Sequence, residues 1–188
     1  MKQTLLALAA MATLGANAQE GSPTPAVESS VFSIQTGLIG VWANHELGLS
    51  RTLALRTEMG LEPMTITYNG SDESRVLVSP VLVLEPKWYY NLDRRERKGR
   101  NTARNSANSI GLFLHYNAPV VVVGDRDIKE PNHLAVAAKY NIRRVYGKHF
   151  NFELGFVAGA WSYVGNDRFY EDGTDLLIDV TVRIGYAF

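Results

Sequence analysis

The chain contains no cysteine. That excludes disulfides, and it removes the acylated cysteine on which a lipoprotein anchor depends. A domain of this size needs no disulfide if it buries a sufficient core. Beyond the N-terminal region there is no apolar run approaching the roughly 20 residues of a transmembrane helix. Charge of one sign is also missing: 19 Lys plus Arg stand against 19 Asp plus Glu. Nothing in that balance points to nucleic acid. Helical periodicity is hard to find, and no pair of histidines has the H-x-x-x-H spacing of a zinc site.

What is present begins with an export signal. Lys2 supplies a positive start, Leu5 to Ala12 a short apolar core, and Ala16-Asn17-Ala18 a small-x-small cleavage site. This is the pattern of a secretory signal peptide over residues 1–18. Cleavage after Ala18 would leave about 170 residues, enough for one domain. Residues 19–30 are polar and contain proline, so they are expected to form a periplasmic linker. Residues 31–188 then form the folded domain.

In that domain, residues alternate with period two. From Leu176 to Phe188 the even positions are all apolar, while the odd ones include Asp179, Thr181, Arg183 and Gly185. Phe150, Phe152, Leu154 and Phe156 alternate with Asn151, Glu153, Gly155 and Val157. Similar alternation runs over 134–143, 110–117, 76–90 and 53–60. Near the start, Phe32, Ile34, Leu38 and Trp42 share one face. That makes seven strands. Both chain ends are expected on the periplasmic side, which demands an even number. The eighth strand is placed at Met64 to Tyr68, before a turn at Asn69-Gly70-Ser71-Asp72. Pro80 and Pro86 each remove a ladder donor within one strand, so bulges are expected there.

With no helix to span lipid, the only membrane-spanning option is a closed barrel. Alternation alone does not separate a membrane barrel from a lipocalin-like one with an apolar interior. Size favours the first, because an eight-stranded bore is narrow and filled by side chains. The apolar face carries Trp88, Tyr140, Phe156 and other bulky rings. The opposite face mixes Gly60, Gly111, Gly155 and Gly159 with long charged side chains. The expected fold is therefore an all-β, eight-stranded antiparallel up-and-down transmembrane β-barrel. Its lumen charge network would comprise Arg56, Glu58, Glu85, Lys87, Lys139, Arg143, Glu153, Asp179 and Arg183. This set is nearly self-neutral, as buried charges require. Trp88, Tyr90, Phe150, Phe152, Tyr186 and Phe188 fall at periplasmic strand ends and would form an aromatic girdle at the lipid–water boundary.

The ending Val182-Arg183-Ile184-Gly185-Tyr186-Ala187-Phe188 resembles the last strand of outer-membrane β-barrel proteins. There, a terminal Phe after alternating apolar residues is the signal read by the barrel-assembly machinery. The segments Leu84 to Arg95, Lys98 to Asn101 and Leu53 to Gly60 are similar to a small outer-membrane β-barrel protein family of Gram-negative bacteria, of the Bacteroidota type. The resemblance covers nearly the whole mature chain. It implies a barrel in the outer membrane, in contact with outer-membrane lipid, with Phe188 as assembly signal. It implies no activity.

Candidate chemistry is sparse. Of the histidines only His115 falls on the expected lumen face; His45 is placed in a turn, His133 at a strand start and His149 after a turn. The His–Ser spacing of lipid A deacylases is absent, and a nucleophile needs an adjacent base. No catalytic residue, metal site or cofactor is expected. The basic run from Asp93 to Arg100, with Arg104, is either a solvated connection or a contact for an anionic surface such as lipid phosphate or peptidoglycan. Asp125 to Asp127 and Asp167 to Asp175 carry oxygen ligands suited to a divalent cation, but without a known calcium-loop spacing. The leading expectation is a structural or interaction barrel whose loops 123–131 and 164–175 meet an unknown extracellular partner. The alternatives are a membrane-embedded enzyme on lipid A or phospholipid, with His115 involved, and a soluble lipocalin-like lipid carrier.

Overall fold

The computed structural model describes residues 26–67, 74–118, 132–164 and 173–188. The signal peptide, linker residues 19–25, the turn at 69–72, and loop residues 123–131 and 165–172 lie outside these.

Eight strands follow in chain order: β1 (Ser30–Gly37), β2 (Val41–Gly48), β3 (Leu53–Thr67), β4 (Ser74–Trp88), β5 (Asn108–Asn117), β6 (His133–Tyr146), β7 (Phe150–Tyr163) and β8 (Thr174–Ala187). Each pairs antiparallel with the next, and β8 pairs with β1 to close the barrel. The short helix α1 (Leu92–Arg97) and a 3-10 turn at Ala103–Asn105 lie between β4 and β5.

Two strand assignments change. The face shared by Phe32 and Trp42 does not belong to one strand. A tight turn at Leu38–Gly40 divides it into β1 and β2, with Gly40 at φ 93°, a left-handed conformation suited to glycine. His45 is thereby a strand residue opposite Phe32, not a turn residue. Met64 to Thr67 is not the eighth strand. It continues β3, whose register with β4 runs unbroken from Leu53↔Trp88 to Thr67↔Ser74.

That unbroken register also removes the expected bulges. Both prolines aim their missing donors toward β5, where little is lost. Pro80 lies beyond the last β4–β5 pair, Val81↔Asn117, and its carbonyl accepts from Ala118. At Pro86 the β4–β5 pairing lapses between Leu84 and Lys87, then resumes in the same register.

Strand lengths are unequal. β1 and β2 have 8 residues each, whereas β3 and β4 have 15 and β6 to β8 have 14. Pairing of β1 with β8 stops at Gly37↔Arg183, and pairing of β2 with β3 stops at Val41↔Leu61. Above that level β3 and β8 continue without β2 or β1 beside them, leaving a notch in the wall. The turn at its floor presents Leu38 and Ile39, both strongly exposed.

The barrel is inside-out relative to a soluble one. Phe156, Ile178, Met59, Leu82 and Val136 are exposed on the outer wall, and Arg56, Glu85, Lys139 and Glu153 are buried within.

Candidate functional site

The bore is organised in layers. At the chain-terminal end Val27, Ala54, Tyr89, Leu92 and Ala107 form an apolar plug. Val27 belongs to the segment expected as a linker; here its amide donates to the Arg51 carbonyl. Further along the bore, Val83, Phe113, Ala137 and Val157 form a second apolar cluster, with Leu177 packed against it. The ions lie between these two layers.

Arg56 is the hub of that layer. Its Nη1 donates to Glu153 Oε1 and Oε2 at 2.8 and 2.9 Å, and its Nη2 to Glu58 Oε2 at 2.6 Å and Gln35 Oε1 at 2.6 Å. Arg143 Nε donates to Glu153 Oε2 at 3.0 Å, and its Nη2 lies 3.1 Å from Glu46 Oε2. Arg183 Nη1 donates to Glu58 Oε1 at 2.6 Å. Lys139 reaches Glu85 at 3.4 Å, and Lys87 lies 3.5 Å from Glu46 and 3.9 Å from Glu85. Strand alternation aims all of these side chains inward, and closure brings β1, β2, β3, β4, β6, β7 and β8 within reach of one another. With apolar layers on both sides, each ion must find its partner inside the bore.

The structure brings together eight of the nine residues expected in this network. Asp179 is the exception: it is exposed, and its carboxylate accepts from the Val180 amide. It has the inward parity, but it stands beside the notch, above the last β1–β8 pair. Alternation reports the face and not the height at which the wall ends.

Glu46 was missed, and so were the buried amides of Gln35 and Asn44, which join Arg56 and Asn151. Glu46 accepts from Tyr89 Oη at 2.6 Å and from the Asn105 side chain. Trp42-x-Asn44-x-Glu46 has the polar alternation that could have revealed β2; the turn before it hid the parity. Trp42 was expected outside with Phe32. It is buried, and the centre of the Arg183 guanidinium sits 3.8 Å from its ring centroid. Its indole occupies the space a Gly60 side chain would fill. Its Nε1 donates to Glu62 Oε1 at 2.7 Å.

Glu62 links this layer to the histidines. His115 Nε2 lies 3.3 Å from Glu62 Oε2, and the His115 ring stacks on Phe113 and on His133. His133 meets Trp161 edge-on. Among the described residues no group of histidine and carboxylate side chains has the geometry to hold a metal ion.

On the outer wall, Trp88, Tyr90, Phe150, Tyr186 and Phe188 are exposed at the chain-terminal end, with Phe152 half-buried beside Ile184. Phe32 and Tyr146 join them, at ring separations of 5.7 Å from Phe188 and 6.3 Å from Phe150. Phe188 is also tied by its backbone. Its amide donates to the Phe32 carbonyl at 2.8 Å, and its own carbonyl accepts from Arg104 Nε at 3.3 Å. Arg104 and Asn105 adopt left-handed φ of 50° and 57°. That costs Arg104 about 1–2 kcal/mol, whereas an asparagine adopts it more readily. The turn directs Arg104 to the C-terminus and Asn105 to Glu46 and the Glu28 amide.

No protein-family model, curated protein or solved structure matches the chain. The resemblance to small outer-membrane barrels therefore rests on the residues quoted for it.

Proposed function

We propose that the chain is an outer-membrane β-barrel protein of a Gram-negative cell envelope, exported by a cleaved signal peptide. It acts as a structural or interaction protein through its loops, and neither as a pore nor as an enzyme. Sidedness is the observation that carries this reading. Ile178 is 73% exposed and Phe156 45%, while Arg56 is 0% and Glu153 1% exposed. In water such a surface would expose far more apolar area than a soluble monomer tolerates. In lipid it is the solvated face. A lipocalin-type carrier needs the reverse arrangement, with an apolar bore and a polar exterior.

Dimensions and interior agree with this. Strands of 14 and 15 residues exceed the roughly 9–11 that cross a bilayer at a tilt. Between two apolar clusters the described ions fill the bore with paired side chains, which favours a plugged barrel over a pore. The bonds of Phe188 to Phe32 and Arg104 hold the last strand against the first.

Cell fractionation with a heat-modifiability gel tests location. The expected result is an outer-membrane band whose folded form shifts on heating; a soluble periplasmic band would refute the proposal. In planar bilayers no steady conductance is expected, and stable ion-selective channels would replace the interaction role with a transport one.

A further inference from the structure

Inside the barrel Arg56, Lys87, Lys139, Arg143 and Arg183 each meet a carboxylate. At the chain-terminal end three arginines lie on segments tied together instead: the Arg100 amide donates to the Arg95 carbonyl at 3.0 Å, Arg95 Nη2 donates to the Asn101 carbonyl at 3.0 Å, and Asn101 Nδ2 donates to the carbonyl of Val145, next to Arg144, at 2.9 Å. Arg95 lies on α1, Arg100 just after it, and Arg144 near the end of β6, with the parity of the outer wall. Among the described residues no carboxylate bridges any of the three. Arg95 is more than nine-tenths buried, and its Nε has no hydrogen-bond partner. Burial lowers the pKa of its guanidinium, and the charges of Arg144 and Arg100 act in the same direction. Such a cluster is unfavourable unless an anion joins it.

The groups beside it are hydrogen-bonding ones. Arg144 Nη2 donates to Asn108 Oδ1 at 2.8 Å, Asn108 Nδ2 donates to Tyr140 Oη, and Tyr140 and Tyr90 hydroxyls lie 3.1 Å apart. Planar guanidiniums suit the oxygens of a phosphate. Trp88, Tyr90, Tyr146 and Phe150 are exposed around the same end. Aromatic rings of this kind mark the lipid–water boundary, where a headgroup phosphate lies. Arg94, Arg97 and Lys98 add exposed positive charge.

We propose that Arg95, Arg100 and Arg144 bind the phosphate of an anionic phospholipid headgroup in the leaflet that meets the chain-terminal end of the barrel. The proposal rests on the membrane reading above, and it turns the basic run Asp93–Arg100 from a solvated connection into part of a lipid site.

The test uses the full mature chain folded into vesicles of mixed phosphatidylglycerol and phosphatidylcholine, with retained lipid read by native mass spectrometry. The expected result is retention of phosphatidylglycerol over phosphatidylcholine. Arg100→Gln and Arg144→Gln should each reduce that preference about five-fold, the effect of one basic residue near an anionic surface. Arg51→Gln, at an exposed cation of the same end outside the cluster, should leave it unchanged. A barrel that folds, shown by its gel shift, yet retains both lipids equally overturns the site and leaves the membrane reading standing. An equal loss in Arg51→Gln reduces the site to general charge and overturns it. Loss of the preference under excess inorganic phosphate assigns the cluster to a free anion and overturns the lipid assignment. A chain that never folds in either lipid overturns both readings.

Discussion

Arg56 on β3 and Glu153 on β7 stand 97 residues apart in the chain, yet one guanidinium nitrogen donates to both carboxylate oxygens across the lumen. Neither strand neighbours the other in the sheet. The pair exists only because the barrel closes around it. Removing one partner strands a buried charge, at a cost of about 3–5 kcal/mol. Glu153→Gln leaves both Arg56 and Arg143 short of a negative charge and should lower stability by that amount in urea unfolding from lipid vesicles. A change under about 1 kcal/mol would mean the pair is hydrated.

The outer wall makes the opposite prediction. Ile178→Lys places an ammonium where the structure exposes an apolar side chain. In a bilayer the cost should be about 2–4 kcal/mol near the midplane. In detergent-free water the same change would be neutral or favourable. Unfolding free energies measured in vesicles of stated thickness decide between the two.

Gly60 is fixed by Trp42. A Cβ at that position would collide with the indole and lie 2.8 Å from the Val41 carbonyl oxygen. Gly60→Ala should cost about 1–3 kcal/mol through overpacking. It should also alter the fluorescence of Trp42, whose ring carries Arg183 on one face. Unchanged emission and stability would show that the indole lies elsewhere.

Asn105 joins the plug to the wall through Glu46 and the Glu28 amide. Asn105→Ala leaves Glu46 with fewer donors and should cost about 1–3 kcal/mol. The effect should be greatest in protease sensitivity of the segment 89–107. Asn105→Gly should not rescue it, since the loss lies in the side-chain bonds and not in the left-handed backbone.

His115 separates the interaction role from lipid chemistry. His115→Ala removes the contact with Glu62 at 3.3 Å. Lipid A composition in the native host should stay unchanged. An altered lipid A profile would move the chain to the lipid-modifying enzymes.

Much of the barrel is legible in the residues alone. Leu176 to Phe188 alternates so regularly that strand, inward face and outward face follow from the residues. The same holds for 150–161 and 134–143. The difficulties sit at turns. Leu38-Ile39-Gly40 contains only one residue with turn character, so an apolar hairpin tip reads as continued strand. That single turn moved Trp42 from outside to inside and concealed Glu46, the acceptor for Tyr89 and Asn105.

Composition and period two by themselves determined that the chain forms strands, that one face is apolar, and that the other holds nearly balanced charge. They do so because side-chain direction in a strand is a local property, set by the pleat at each residue. Which ions meet, where the wall stops and which cations are left together follow from the folded chain and from nothing local. Arg56 with Glu153 is an outcome of closure, Asp179 beside the notch an outcome of unequal strand lengths, and Arg95 beside the end of β6 an outcome of the Asn101 bonds that tie the β4–β5 connection to Val145. Closure links strands far apart in the chain through register and strand length, and neither quantity is carried by the alternation within one strand.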